Sequence, residues 1–146
     1  MASLKQFLKE KDYKVFDLIK IQSNHFKIKM KLNGVFGDFI VDTGASNTCI
    51  GLDGIDKFLL KTEISDIKAT GAGAMDMETL KAVDVPVKIG WWKTHIDVVI
   101  IDLSHVNEAL KIHLDEKVDG ILGADLLAKG VAIIDYAKSR LYLKKL

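Results

Sequence analysis

The stretch Phe39–Thr48, FIVDTGASNT, decides how the rest of the chain is interpreted. Three apolar residues run directly into an acid, a hydroxyl and a glycine, which are Asp42, Thr43 and Gly44. A glycine permits the tight turn that must follow a strand, and it lets another backbone approach closely. The pattern predicts a buried strand that places Asp42 where the core meets a cleft. The triplet alone leaves open whether this acid is structural or chemical.

A predicted β-hairpin leads into this stretch. Between Phe26 and Leu32 apolar residues alternate with lysines, which indicates a strand with one solvated face. Asn33-Gly34 is the strongest short hairpin signal that a sequence can carry. VFGDFIVD, residues 35–42, then returns as the partner strand and delivers Asp42 to its end.

More strands and a few short helices follow from the same reading. Val83, Val85, Val87 and Ile89 alternate, HIDVVIIDL is apolar enough to be a central strand, and VAIIDYAKSRLYL indicates two strands about a turn. SLKQFLKEK, with three apolar residues on one face, and GADLLAKG predict short helices. VNEALKIHL is ambiguous between a helix and a loop. The sequence therefore predicts an all-β domain with one or two short helices.

The composition fits one domain with a core of its own. At 146 residues and 49% hydrophobic residues, the chain needs neither disulfides nor metal to fold. The net charge of +1, from 21 basic and 20 acidic residues, argues against a nucleic-acid partner. Lysines concentrate towards both ends of the chain, and we interpret them as charges on solvated faces.

The cellular compartment is predicted from three features. The single Cys49 excludes an internal disulfide, fits a reducing compartment and is expected in the core. No signal peptide is visible at the N-terminus, and the longest apolar run is too short to span a bilayer. We expect a cytoplasmic protein without a membrane partner.

Two motifs together resemble the retropepsin-like aspartic proteases, the single-domain relatives of retroviral protease and pepsin. FIVDTGAS matches that family's apolar strand followed by Asp-Thr/Ser-Gly-Ala, and Ile121-Leu122-Gly123 matches the second element, which crosses behind the first. The resemblance covers about residues 24–143. It implies a closed β-barrel, in which residues 1–23 form an N-terminal helix and lead-in strand packed on a protease domain of residues 24–146.

The resemblance also assigns roles to individual residues. It implies a catalytic loop of Asp42, Thr43 and Gly44, and a structural psi-loop of Ile121, Leu122 and Gly123. Residues 67–80, IKATGAGAMDMETL, match the family's flap, a glycine-containing hairpin that closes over an extended peptide. The implied substrate-binding residues are Ala45 in the cleft and Gly71, Ala72, Gly73, Ala74 and Met75 in the flap. Taken alone, residues 67–80 fit an ordinary glycine hairpin equally well.

The chain holds a single Asp-Thr/Ser-Gly triplet, whereas peptide hydrolysis of this type needs two carboxylates that share one proton. We therefore infer an isologous homodimer in which two Asp42 side chains meet at the two-fold axis. Such a pair takes up its protons in two macroscopic steps, which favours activity at mildly acid pH. The implied function is that of an aspartic endopeptidase acting on a peptide or protein substrate. Water is the nucleophile, and no cofactor is required.

One departure from the retroviral pattern concerns the dimer. Ser46 and Ala124 stand where retroviral enzymes often carry an acid and an arginine. Both partners of that ion pair are absent together, so other contacts must stabilise the dimer. The basic termini and the final strand, RLYLKKL, are the candidates.

Other chemistries find no support in the sequence. The four histidines lack metal-ligand spacing, so we expect no metal site. Neither a nucleophile elbow nor a phosphate-binding glycine loop occurs. The serious alternative is a non-catalytic module of the same fold that binds peptides or assembles partners. The retention of Asp42, Thr43 and Gly44 together favours the protease.

Overall fold

The structure, a computed structural model, describes residues 2–71 and 74–145, with side chains except those of residues 66–78. The helices are α1 (Leu4–Glu10), α2 (Gly54–Lys57), α3 (Ser104–Ile112) and α4 (Ala124–Lys129). The strands are β1 (Tyr13–Asp17), β2 (Ile19–Lys20), β3 (Phe26–Leu32), β4 (Val35–Val41), β5 (Cys49–Gly51), β6 (Glu63–Gly71), β7 (Ala74–Ile89), β8 (Trp92–Ile101), β9 (Gly120–Leu122), β10 (Ile133–Asp135) and β11 (Arg140–Lys144).

Six strands close into a barrel. They are hydrogen-bonded in the order β3, β4, β9, β5, β8 and β7, and β7 pairs back onto β3, with Leu32 opposite Val87. The barrel interior is apolar, and Met30, Leu32 and Phe39 are completely buried inside it. Closure leaves each of these strands with a neighbour on both sides. The prediction of an all-β closed barrel is confirmed.

The hairpin that leads to Asp42 forms where the sequence predicts it. Asn33 and Gly34 have φ angles of 51° and 82°, the left-handed pair that a two-residue hairpin turn of the primed type requires. The register then runs from Leu32 opposite Val35 to Phe26 opposite Val41. This register fixes the end of β4, and with it the position of Asp42.

The psi-loop residues form β9, which crosses beside the Asp42 strand. β9 runs parallel to β4, with Ile121 opposite Ile40 and Leu122 opposite Val41. On its other side β9 is antiparallel to β5. The approach is so close that a Cβ at Gly120 would overlap the carbonyl oxygen of Cys49, which explains the glycine at this position.

A separate three-stranded sheet joins the two ends of the chain. β11 lies in its centre, with β1 on one side and β10 on the other. Helix α1 begins with a capping box, in which the Ser3 hydroxyl accepts the Gln6 amide proton at 3.2 Å and the Gln6 side chain accepts the Ser3 amide proton at 3.1 Å. Of its three apolar residues, Leu8 is buried, whereas Leu4 and Phe7 are about half exposed. The division of the chain at residues 23 and 24 stays a prediction.

Two local expectations need correction. The described residues contain four helices instead of one or two, because the ambiguous segment after β8 forms α3 and the unpredicted α2 follows β5. In β7, the register shifts between Ala82 and Val85, so Ala82 is buried and Val83 is 51% exposed. An extra residue in a strand reverses the faces of its neighbours, which a strict alternation of valines does not reveal.

Candidate active site

Asp42 lies directly after β4 and is half-buried. Its backbone amide donates to the carbonyl of Leu122 at 3.0 Å, which ties the loop to β9. Its carboxylate Oδ1 accepts the amide proton of Gly44 at 2.9 Å. Among the described residues, Oδ2 has no hydrogen-bond partner. The carboxylate is therefore held by its own loop through one oxygen and leaves the other available to a second group.

The loop of Asp42 and the psi-loop lie in direct contact. The amide of Ala124 donates to the carbonyl of Ala45 at 2.7 Å. A Cβ at Gly123 would lie 2.8 Å from the same carbonyl oxygen, so a larger residue at Gly123 would force the two loops apart. The structure thus brings together Asp42, Thr43, Gly44 and Ala45 with Ile121, Leu122 and Gly123. Their catalytic and structural roles stay predictions.

A polar pair, the buried Thr48 and the half-buried Asp125, stabilises this contact. The Thr48 amide and hydroxyl donate to Oδ1 of Asp125 at 2.9 and 2.7 Å, and the Thr48 hydroxyl accepts the Gly123 amide proton at 3.0 Å. Thr48 is fully buried, so its own amide and hydroxyl and the Gly123 amide depend on this pair for hydrogen bonds, whereas Oδ1 of Asp125 also accepts the Leu126 amide proton. The sequence interpretation missed this pair. The one available signal was the acid in the first turn of α4.

Asp119 is a second supporting acid that the sequence interpretation missed. Its Oδ2 accepts the amide proton of Asp38 at 2.8 Å, and its Oδ1 lies 2.9 Å from Nζ of Lys57. The backbone groups of Asp119 also bond to Asp38 and Gly51. These contacts fix the start of β9, so we assign Asp119 a structural role.

Thr43 lies on the surface beside an apolar depression. The depression has a volume of about 420 Å³ and is lined by Thr43 together with Ala124, Leu127, Ala128, Val131, Ala132 and Ile134. The Thr43 hydroxyl forms no hydrogen bond with any described residue. An exposed hydroxyl at the edge of an apolar surface is suited to a contact with another molecule. We call this surface the Thr43 patch.

Cys49 lies behind the loop in a small apolar cluster. Its neighbours include Val99 and Leu103, and Ile121 packs against them. Burial raises the pKa of the Cys49 thiol to about 12, and the nearby charges of Asp125 and Asp42 act in the same direction. A thiol with this pKa is neutral at physiological pH and serves as an apolar core residue. The prediction that Cys49 belongs to the core is confirmed.

The predicted flap falls partly outside the described residues. β6 and β7 form an antiparallel hairpin, with Gly71 opposite Ala74 in its last pair. Ala72 and Gly73 lie outside the described residues, as does the side chain of Met75. The substrate-binding roles of these residues stay predictions.

Candidate metal-ligand groups and membrane-spanning helices are both absent from the described part of the chain. There, His, Cys, Asp and Glu side chains form no group of three or more that could hold a metal ion. No helix in the same residues has the length and apolar character needed to cross a bilayer.

The closed barrel, the crossing of β9 behind β4 and the Asp-Thr-Gly loop together define a retropepsin-like fold. A family model described as aspartyl protease matches residues 28–126, which is most of the chain. The chain belongs to this aspartyl protease family.

Solved structures agree on the fold. A retropepsin-like aspartic protease from Rickettsia conorii superposes with a TM-score of 0.59 at 21% identity, covering 91% of this chain and 90% of that chain. A retroviral protease-like domain from Leishmania major superposes with a TM-score of 0.53 at 17% identity, covering 82% of this chain and 88% of that chain. At these identities the likeness is one of fold. Curated protein sequences give no significant match.

Proposed function

We propose that the protein is an aspartic endopeptidase whose active site forms between two copies of the chain. The observation that carries the proposal is the carboxylate of Asp42, which is held by Gly44 through Oδ1 while Oδ2 has no partner among the described residues. Asp102 and Asp135 also hold a turn through Oδ1 alone, so the free oxygen supports the proposal only together with its place in the chain. Asp42 lies in the Asp-Thr-Gly loop at the end of β4, bonded to the psi-loop through Leu122.

The proposed chemistry needs both Asp42 carboxylates. Two carboxylates at close range cannot both be ionised, so the pair shares one proton. The ionised member takes a proton from a water molecule, while the protonated member donates to the carbonyl oxygen of the peptide. The water attacks the carbonyl carbon, and collapse of the resulting diol releases the amine. Residues 67–80 act as the flap, which bonds an extended peptide through its backbone and excludes bulk water.

The Thr43 patch supports a dimer of this geometry. Its apolar residues lie beside Thr43, the residue after Asp42, so a two-fold axis through the patch would bring the two Asp42 loops together. Strand β10 borders the patch through Ile134 and pairs only with β11 among the described strands, which leaves its other edge available. Antiparallel pairing of β10 with its symmetry mate would extend the two three-stranded sheets into one. The final strand, which the sequence interpretation offered as a dimer contact, has both edges covered within its own chain.

The test compares cleavage of a diverse peptide library by the wild type, Asp42→Asn and Asp56→Asn between pH 4 and 7. Asp56 is an exposed acid on α2 and serves as the matched control. We expect Asp42→Asn to lower the cleavage rate on the order of 10²–10⁴-fold, with Asp56→Asn unchanged. Equal cleavage by the wild type and Asp42→Asn would refute the assignment. Peptide binding without cleavage by either protein would support the non-catalytic module.

A mixing experiment tests whether the two carboxylates come from different chains. When wild type and Asp42→Asn are unfolded together in equal amounts and refolded, random pairing leaves about one quarter of the dimers with two Asp42 residues. Activity per total protein should therefore fall to about one quarter of that of the wild type. A fall to one half would show that each chain works independently.

A further inference from the structure

Helix α3 covers the face of the sheet to which Asp42 points. Side chains alternate along a strand, so Ile40 and Asp42 share one face of β4, while Phe39 points into the barrel. The alternation reaches Asp42 because its backbone amide still bonds to β9. Ile40 is buried outside the barrel, in a second apolar cluster to which α3 contributes Val106 and Leu110. The helix therefore lies over the sheet within two residues of Asp42.

The same face continues across the neighbouring strands. Ile121 of β9 lies opposite Ile40, and Cys49 of β5 lies opposite Ile121. Val99 of β8 lies opposite Cys49. Residues in register on adjacent strands share a face of the sheet. We call Ile40, Ile121, Cys49 and Val99 the apolar floor, and Val106 of α3 packs against both of the clusters to which they belong.

Part of this arrangement stays accessible. Ile40, Cys49 and Val99 are each at most 6% exposed, whereas Ile121 and Val106 are half-buried. The described members of the two clusters carry no charge. The accessible surface is therefore apolar, and it belongs on one side to the psi-loop strand and on the other side to α3.

Polar contacts hold α3 over the apolar floor. The Asn107 side chain accepts the Val118 amide proton at 2.8 Å and donates to the Val118 carbonyl at 3.3 Å. Asp115, which follows the helix, accepts the amide protons of Gln22 and Ser23 at 2.8 and 2.9 Å. These contacts tie α3 to the segment before β9 and to the turn before β3. The helix therefore keeps its place although it buries a single side chain.

We propose that α3 sets the substrate specificity, because Val106 limits the side chain beside the scissile bond to a small or medium aliphatic one, as in valine or leucine. The inference rests on the proposed endopeptidase function, in which Asp42 meets the scissile carbonyl. Residues of an extended peptide are spaced roughly 3.3 Å apart, so a side chain next to that carbonyl reaches the floor beside Asp42. There Ile121 and Val106 offer apolar contact, whereas a charged side chain would lose its hydration without gaining a partner from the floor. An aromatic ring would need the space that Val106 occupies.

The test compares kcat/KM for two peptides that differ only at the residue next to the cleaved bond, which is leucine in one and phenylalanine in the other. The pair is built on a library peptide that the wild type cleaves or, if none is cleaved, on one that it binds. We expect the wild type to favour the leucine peptide on the order of tenfold.

Two valines provide the variant and its control. Val106→Ala removes the side chain that limits the space, so the ratio of leucine to phenylalanine cleavage should fall severalfold, to near one. Because both peptides are compared with the same variant, a loss of folded enzyme leaves this ratio unchanged. Val83→Ala removes the same atoms from an exposed valine on β7 and should keep the wild-type ratio.

Peptide binding separates a failure of this inference from a failure of the proposed function. Fluorescence anisotropy of the same two peptides, labelled and mixed with Asp42→Asn, measures recognition apart from the catalytic acid. If Asp42→Asn cleaves like the wild type, the proposed function fails, whereas a leucine preference in binding that Val106→Ala removes still supports the role of α3. The inference is overturned if the wild type favours neither peptide, if no library peptide binds, or if Val106→Ala keeps the wild-type ratio. It is also overturned if Val83→Ala changes the ratio as much as Val106→Ala does.

Discussion

The hydroxyl of Thr48 donates a 2.7 Å hydrogen bond to the Asp125 carboxylate, across 77 positions of sequence. The same hydroxyl accepts the Gly123 amide proton, so one buried side chain joins the loop after Asp42 to the start of α4. The position of Asp42 thus depends on a polar contact that lies outside the Asp-Thr-Gly triplet. This relationship can be tested by substitutions that preserve the shape of the side chain.

Thr48→Val removes the hydroxyl and keeps the volume. Because the Gly123 amide and the Asp125 carboxylate then lose a buried partner, we expect the free energy of unfolding to fall by about 1–3 kcal/mol. Thr48→Ser keeps the hydroxyl, so its free energy of unfolding should fall by less than half as much. Urea unfolding monitored by tryptophan fluorescence provides the measurement. If Thr48→Ser lost as much stability as Thr48→Val, the missing methyl group would cost as much as the missing hydroxyl, which would contradict the dominance of the hydrogen bonds.

Two short ion pairs with different exposure offer a direct comparison. Asp119 is 2.9 Å from Lys57 with its side chain 16% exposed, whereas Asp53 is 2.7 Å from Lys117 with its side chain 68% exposed. Solvent screens the exposed pair, even though the Lys117 hydrogen bond lowers the pKa of Asp53.

We therefore expect Asp119→Ala to destabilise the fold by about 2 kcal/mol and Asp53→Ala by less than about 1 kcal/mol. Asp119 also accepts the Asp38 amide proton, which adds to the difference. Chemical denaturation of both variants in 0.1 and 1 M salt measures the comparison. A larger loss for Asp53→Ala would show that the distance between the charges, and not their burial, decides the outcome.

The local parts of the fold could be predicted from the sequence because short-range chemistry determines them. Asn33-Gly34 adopts the left-handed turn that it favours, and the alternation of Phe26 to Leu32 places those apolar side chains inside the barrel. The helix after β8 remained ambiguous because Leu110 is its only buried residue. The alternation wrongly grouped Val83 with Val85 and Val87, because nothing in a run of valines reveals the bulge between Ala82 and Val85.

The supporting contacts of the site could not be predicted in the same way. Thr48 meets Asp125, and Lys57 meets Asp119, only after β9 has paired with both β4 and β5. The sequence holds 20 acidic residues, and apart from the place of Asp125 in the first turn of α4 nothing local distinguishes Asp119 and Asp125 from the others. The Asp-Thr-Gly triplet was recognisable because a single short segment carries it, whereas its supports come from distant segments.

The Cys49 thiol should resist alkylation in the native protein. Its pKa of about 12 keeps the thiolate fraction negligible at pH 8, and the side chain is 6% exposed. We expect iodoacetamide to modify the native protein far more slowly than the protein unfolded in urea, as measured by mass spectrometry. Rapid modification of the native protein at pH 8 would contradict the buried, neutral thiol.

The same raised pKa predicts how stability depends on pH. In the unfolded chain the thiol has its ordinary pKa of 9.0, whereas in the folded protein its pKa is about 12. Between these values the unfolded state has released a proton that the folded state retains, so stability falls as the pH rises above 9.0. Between pH 8 and 10 the free energy of unfolding of the wild type should fall by about 1 kcal/mol more than that of Cys49→Ala. If the free energy of unfolding falls equally in both proteins, groups other than Cys49 account for the pH dependence.

The proposed dimer interface at the Thr43 patch can be tested with two valines of similar exposure. Val131 lies in the patch and is 55% exposed, while Val83 lies on β7 and is 51% exposed. Val131→Lys places a charge where we propose that two apolar surfaces meet, so it should shift the protein to monomers and abolish cleavage together. Because Val131 has a φ of 45°, replacing its branched side chain relieves backbone strain and should leave the monomer folded.

Val83→Lys adds the same charge at similar exposure and should remain dimeric and active. Sedimentation velocity over a range of concentrations, with cleavage measured on the same samples, gives both readouts. An active, dimeric Val131→Lys would place the interface elsewhere, whereas an inactive but dimeric variant would separate catalysis from assembly and refute the shared axis.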